Sequence, residues 1–394
     1  MISPDVEQLR ARGWRPLPFI EFVIKIHSRC NLACDYCYVY EMADQSWRQQ
    51  PVRMRDDLFL ETCRLIRSHA EEHALPAVSL VFHGGEPLLV GHDRMAYFAR
   101  NARELLEPVT ALRLRVQTNG VLLDNKFLEI CERHRIMVGV SVDGNQQAHD
   151  RHRINRRGIG SYDHVAKALA RLASPEYRSL YSILLCTIDV ANDPIATYEA
   201  LLGFEPPVID FHLPYGNWTT PPPAKSDALA TTAYGDWLIE IFDRWYGAPV
   251  LETRIRIFDH VMGLLLGRQQ PSEFVGLAPM QFAVIETDGS VEQVDSLKSA
   301  YAGAASLGIT AEGNPLDQAM WAPGIIARQI GIAALGDTCR SCSLVGICGG
   351  GHYVHRYREG SGFRNPSVYC ADLQKLIGHI ESRLRADLTA AMRS

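Results

Sequence analysis

Three cysteines at spacings of four and three, Cys30, Cys34 and Cys37 in the run CNLACDYC, are the residues best placed to do chemistry in this chain. Three thiolates on one tight loop can ligate three irons of a cubane cluster and leave the fourth iron open to a chelating small molecule. A zinc knuckle competes, although zinc takes four ligands and only His27 lies close by. Near the C-terminus stand Cys339, Cys342 and Cys348, with Cys370 beyond. Four thiolates can close a cluster completely or hold a zinc ion. The other three of the ten cysteines, Cys63, Cys131 and Cys186, sit alone in apolar or helical stretches and read as core thiols.

Those groups need a scaffold. Between Ile20 and Leu213 short apolar runs alternate with helix-like stretches: strands at 19–26, 78–83, 112–118, 136–142, 180–188 and 208–213, helices at 56–73, 95–106, 125–134 and 162–172. Such alternation implies βαβ units and a parallel sheet. A full eight-stranded barrel typically needs ~250 residues, so six strands over 20–214 predict an α/β partial (β/α)6 barrel. Residues 1–19 form an N-terminal extension and 215–280 a bridging region, with helices at 228–246 and 256–266. Residues 281–394 form a C-terminal domain, with a hairpin over 283–295 turning on Asp288-Gly289 and a last helix from about Ala371. The CNLACDYC loop follows the first strand, at the strand end where barrels build active sites. Gly84-Gly85-Glu86-Pro87, Gln117-Thr118-Asn119-Gly120 and Ser141-Val142-Asp143-Gly144 end the next three strands.

Composition narrows the classes. Lys plus Arg (40) against Asp plus Glu (45) gives a net charge of −5, which argues against a broad nucleic-acid surface. No run of ~18 apolar residues exists to cross a membrane. The start MISPDVEQLRARGWRP has no apolar signal core, so a cytoplasmic, reducing setting is expected, where clustered thiols indicate metal.

With Tyr36 before the third cysteine, the pattern resembles the radical S-adenosylmethionine (SAM) superfamily. The resemblance implies a [4Fe–4S] cluster on Cys30, Cys34 and Cys37 whose open iron is chelated by SAM. Reductive cleavage of SAM then yields a 5′-deoxyadenosyl radical that abstracts a substrate hydrogen. It further implies a SAM site from Tyr36, Gly84, Gly85, Glu86, Pro87, Gln117, Asn119 and Ser141. Glu86 would receive the SAM ammonium, and Arg153, in HDRHRINRRGIGSY, would reach the SAM carboxylate.

The C-terminal cysteines look like the SPASM extension of peptide-modifying members. That extension usually holds two auxiliary clusters. Here the run reads Cys348-Gly349-Gly350-Gly351-His352 and the hairpin IETDGSVEQVD has no cysteine, so one auxiliary [4Fe–4S] cluster, on Cys339, Cys342, Cys348 and Cys370, is expected. His352 reads as a packed histidine rather than a ligand. Asp295 falls where the family has a proton acceptor, and His83, His212 and Tyr215 are expected to face the cavity.

The stretches SRCNLACDYCYVYEMADQSWRQQP, ETDGSVEQVDSLKSAY and CGGGHYVHRYREGSGFRNPSVYC resemble the FxsB-type maturases. These join an aromatic ring carbon to the β-carbon of a residue two positions later in a ribosomal precursor peptide, forming a three-residue cyclophane. A thioether, β-hydroxylation, epimer or cyclopropane product is the alternative. The family's C-terminal extension and a winged-helix recognition domain are not expected. The leader would dock on the barrel or on 215–280, for instance by adding a strand to a sheet edge. A flavodoxin- or ferredoxin-like protein would supply electrons.

Overall fold

The computed structural model describes residues 5–225, 231–269, 272–309 and 314–392. Six strands pair in sequence order and all in parallel: β1 (Glu21–His27), β2 (Ala77–Gly84), β3 (Ala111–Thr118), β4 (Ile136–Ser141), β5 (Tyr181–Thr187) and β6 (Val208–His212). Alternation along each strand decides what faces where. Phe22, Ile24 and Ile26 of β1 and Leu80 and Phe82 of β2 are fully buried under the helices. The opposite face carries Lys25, His83, Gln117 and Ser141 towards the barrel interior.

The covering helices are Asp56–Glu72, His92–Leu106, Asn125–Arg133, Tyr162–Leu172 and Pro194–Leu202. Asp124 and Asp193 accept from the amides of Phe127 (2.9 Å) and Ala196 (2.7 Å), supplying acceptors for amides that the helix leaves unpaired. Phe59, on the first of these helices, packs between Phe82 and Phe98, with ring centroids 6.2 and 4.3 Å away. Burying such a ring contributes roughly 1.5–3 kcal/mol. Cys63, Cys131 and Cys186 are buried core thiols.

The sheet does not stop at six strands. β7 (Arg254–Ile255) adds in parallel to β6, and β8 (Phe282–Ile285) adds in parallel to the other side of β1. β9 (Val291–Glu292) and β10 (Ser306–Ile309) continue antiparallel, giving the order β10-β9-β8-β1-β2-β3-β4-β5-β6-β7. The expected boundary at 280/281 is therefore crossed by the sheet, because the Asp288-Gly289 hairpin hydrogen-bonds to β1. β7 and β10 are too short to leave a periodic signature. The helix expected from Ala228 runs from Ala233 to Tyr246, and residues 226–230 lie outside the described residues. The C-terminal helix, Cys370–Ala391, docks on it through Asp372 Oδ1, which accepts from the amides of Tyr234 and Gly235 at 3.0 Å each.

Candidate active site

At the C-terminal ends of β1 to β6 lies a cavity of about 320 Å³, within the usual range for a small-molecule site. Cys30, Cys34 and Cys37 line it together with Tyr36, Gly84, Gly85, Gln117, Asn119, Ser141 and Arg153. Neither thiol group gathers three sulfurs within 4.8 Å of one another among the described residues. Burial pushes the Cys30 thiol up to about 12 and Cys34 to about 11, the Arg153 cation opposing it at Cys34. Such thiolates need positive charge brought to them, as iron would bring it.

Donors from neighbouring strands hold the loop. Asn119 Nδ2 donates to Asn31 Oδ1 at 2.8 Å and approaches Cys30 Sγ at 3.6 Å. Arg153 Nη1 donates to the Tyr36 hydroxyl at 2.7 Å, and that hydroxyl donates to Asp143 Oδ2. Asp143 Oδ1 accepts from the Thr187 amide at 3.0 Å, which ties the arrangement to β5. Gln117 Nε2 donates to Ser141 Oγ at 3.1 Å. Two buried polar atoms on cavity residues have no partner, Arg153 Nε and His83 Nδ1. A cavity with three thiols on one wall and unpaired polar atoms on the others fits a polar small ligand chelating a cluster.

Glu86 and Pro87 do not line the cavity. Both oxygens of the buried Glu86 carboxylate accept protein donors: the amide of Leu88 (3.0 Å), the hydroxyl of Thr118 (2.7 Å) and the amide of Asn119 (2.8 Å). The carboxylate expected to receive the SAM ammonium thus braces the end of β2 against the end of β3, and Gly84 and Gly85 are what this strand end presents to the cavity. These glycines are also required by packing. A Cβ on Gly84 (φ +152°) would lie 2.0 Å from His27 O, and one on Gly85 2.6 Å from Arg29 backbone.

Part of the cavity lining is aromatic. Tyr38, His212 and Tyr215 form this part, with the Tyr38 and Tyr215 rings edge-to-face at 4.8 Å. His212 Nε2 pairs with Asp210 Oδ2 at 2.6 Å, and Asp210 also pairs with Arg256. Despite burial, these partners bring Asp210 down to about 2. His352 is packed, with its ring 5.8 Å from Tyr215 and 5.1 Å from Phe274. Asp295 is buried just behind the cavity rather than on its surface. Its Oδ1 lies 3.0 Å from Lys25 Nζ.

The second thiol group is Cys339, Cys342, Cys348 and Cys370, from two short helical turns and the start of the C-terminal helix. Their charges act on one another, Cys370 on Cys348 and Cys339 and Cys342 on Cys370. Gly349, Gly350 and Gly351 all have positive φ (61, 80 and 69°), so their carbonyls turn inward. Arg356, buried, fills that turn, donating from Nη2 to Gly349 O (2.7 Å) and Gly351 O (2.6 Å) and from Nε to Gly350 O (3.1 Å). Sequence reading missed Arg356 and Lys25. An arginine five residues beyond the glycine run and a lysine inside an apolar strand were the only signals.

Comparison with known proteins agrees with this geometry. Residues 24–193 match the Radical SAM superfamily. The chain is 28% identical over 285 residues to a serine-type anaerobic sulfatase-maturating enzyme of Bacteroides thetaiotaomicron, covering 66% of each. It is 28% identical over 291 residues to a cysteine-type enzyme of Clostridium perfringens, covering 71% of this chain and 75% of that one. The matches thus span about two thirds to three quarters of these curated relatives. Among solved structures, native anSMEcpe with bound AdoMet superposes with a TM-score of 0.76 at 21% identity, covering 94% of this chain and 99% of that one. Streptococcus suis SuiB bound to precursor peptide SuiA gives 0.59 at 16%, covering 92% and 78%. At these identities the structural likeness establishes the fold. Among the described residues no helix is long and apolar enough to cross a membrane. The thiol loop and the ends of β1 to β5 all fall within residues 24–193, the stretch that matches the Radical SAM superfamily, whose cofactors are SAM and a [4Fe–4S] cluster.

Proposed function

We propose that this chain modifies a ribosomally made precursor peptide, joining an aromatic ring carbon of one residue to the β-carbon of a residue two positions later. The observation that carries this reading is that the aromatic side chains of Tyr38, Tyr215 and His212 line the same cavity as the three thiols, Tyr38 next to Cys37 in the loop itself. When bound, the cofactors supply a 5′-deoxyadenosyl radical for the β-hydrogen and, at the second thiol group, an acceptor for one electron. The protein's residues do the rest. Gly84, Gly85, Gln117, Asn119, Ser141 and Arg153 hold and orient SAM, and Tyr36 is fixed by Arg153 and Asp143. Tyr38 and Tyr215 present ring faces and edges against which a substrate ring can pack. Asp295, beside Lys25 and close behind Tyr38 and His83, takes the ring proton that must leave once the new bond forms. The peptide thereby loses two hydrogens. The leader segment docks on the barrel or on 215–280, and a flavodoxin- or ferredoxin-like protein is the reductant.

A second reading is favoured by the 28% identity to sulfatase-maturating enzymes, oxidation of a serine or cysteine side chain in a protein substrate. Co-expression with the small open reading frame beside this gene separates the two. A cyclophane gives a peptide lighter by two hydrogens, inert to hydroxylamine and resistant to fragmentation between the joined residues. A product that reacts with hydroxylamine and fragments normally, lighter by two hydrogens if it came from serine and with sulfur also exchanged for oxygen if it came from cysteine, supports side-chain oxidation. An added oxygen, or unchanged mass with inverted residues, removes the cyclophane reading.

A further inference from the structure

Behind the cavity wall lies a group of five ionisable side chains that the reading above uses only at one corner. Lys25 of β1 reaches Glu286 Oε1 at 2.7 Å and Asp295 Oδ1 at 3.0 Å. Lys298 reaches the same Glu286 oxygen at 2.7 Å and Glu292 Oε2 at 2.9 Å. All five are at least nine-tenths buried, with exposures of 2% for Lys25 and Glu286, 6% for Glu292 and Asp295, and 1% for Lys298. Carboxylate oxygens of Glu286, Glu292 and Asp295 lie within 4.8 Å of one another. The two ammonium groups occupy the place that a metal cation would otherwise take.

The count does not balance. Three carboxylates face two ammonium groups, so the fully ionised group carries an uncompensated negative charge away from water, an arrangement a buried site relieves by taking a proton. Among the described residues, no cation besides Lys25 and Lys298 is paired with these carboxylates. Asp44, which accepts from the Gly303 amide at 2.5 Å, adds negative charge beside Lys298. His83 and Tyr38 face Asp295 from β2 and the thiol loop, and burial keeps both in their neutral forms. Glu286 takes both short lysine contacts on one oxygen. Glu292 Oε2 and Asp295 Oδ1 meet a lysine without a directed hydrogen bond, so they are the acceptors left for a proton.

We propose that this quintet holds one exchangeable proton, resting on Glu292, and that proton uptake at Asp295 is coupled to its release from Glu292. Uptake at Asp295 with Glu292 still protonated would leave two ammonium groups against one carboxylate. Release from Glu292 restores neutrality, so the quintet passes a proton from the cavity side to the β9 side without changing its charge. Glu292 is then a positioning residue acting through Lys298 and Lys25. Burial and the neighbouring Glu286 push Glu292 up to about 7, in keeping with a carboxyl that exchanges its proton near neutrality. The use of this proton in turnover rests on the cyclophane reading, whereas its presence in the resting protein does not.

The test reads the proton directly, on the full chain without cofactors or peptide, by the carboxylic-acid carbonyl stretch in infrared difference spectra across buffers bracketing pH 7. The wild-type chain shows one such band that fades as the pH rises. Glu292→Gln loses it. Asp295→Asn also loses it, since two carboxylates now match two lysines. Lys298→Met roughly doubles it. Circular dichroism identifies the folded variants, and either carboxylate variant alone suffices. A band of undiminished size in a folded Glu292→Gln or Asp295→Asn chain, or no band in the wild type, overturns the proposal. Loss of the band alongside a product that is not a cyclophane leaves the quintet standing and removes only the reaction assigned to it.

Discussion

The two thiol groups are built from the same residue type and are surrounded in opposite ways. Cys30, Cys34 and Cys37 sit on an open loop along a 320 Å³ cavity, with Arg153 Nε and His83 Nδ1 left unpaired on its walls. Cys339, Cys342, Cys348 and Cys370 sit around a glycine turn whose carbonyls are already taken by Arg356. Three ligands beside unpaired donors leave room for a further ligand. Four ligands beside satisfied ones do not. In the function proposed above, the first site binds and transforms SAM and the second accepts an electron, and the contrast is in keeping with that division.

The largest way to break this contrast is to remove one thiol from each group. Cys34→Ala should abolish SAM cleavage, measured as deoxyadenosine, because the open cluster loses its anchorage. Cys342→Ala should leave cleavage measurable while iron falls from about eight to about four atoms per chain. Equal loss of cleavage in both variants would erase the distinction.

Next in size is Asp295→Asn. Peptide cross-linking should fall by roughly 10²–10⁴-fold, the usual contribution of a positioned base, while deoxyadenosine still forms. Parallel loss of both would give Asp295 a structural role instead.

Backbone crowding sharpens the comparison on a smaller scale. A Cβ at Gly85 would lie 1.8 Å from the Tyr40 hydroxyl and 2.6 Å from Arg29 backbone, whereas one at Gly346, in the second region, meets nothing within 4 Å. Gly85→Ala should therefore cost ~1–3 kcal/mol in denaturant unfolding. Gly346→Ala should change stability little.

The smallest effect is a pH slope. Glu292 is raised in the folded chain from its ordinary 4.5 to about 7, so its stabilising contribution is complete below 4.5 and is lost as pH rises through 7. Glu292→Gln should flatten that loss in unfolding experiments. Asp210 runs the other way. Its contribution is present above 3.8 and is lost as pH falls towards 2.

What could be read from the sequence was local. The cysteine spacings, the strand ends and four of the five covering helices, all but Pro194–Leu202, follow from residues within one turn or one strand of each other. What could not be read joins distant segments. Glu86 braces Thr118 and Asn119 more than thirty residues on, and Lys25 finds Glu286 261 residues later. A lysine in FIEFVIKI looks like an imperfection in a strand until its partners arrive on a hairpin. The hairpin itself was legible, but its pairing with β1 was not, because parallel pairing depends on the whole intervening barrel. Arg356 was hidden for a related reason, since the carbonyls it fills face inward only once Gly349–Gly351 adopt positive φ.

The central claim is most directly tested by reconstituting the chain anaerobically with iron and sulfide, adding SAM and dithionite, and measuring 5′-deoxyadenosine. The account predicts deoxyadenosine from the wild-type chain and none when Cys30, Cys34 and Cys37 are all alanine. No deoxyadenosine from the wild type, or the same amount from the triple variant, would contradict it.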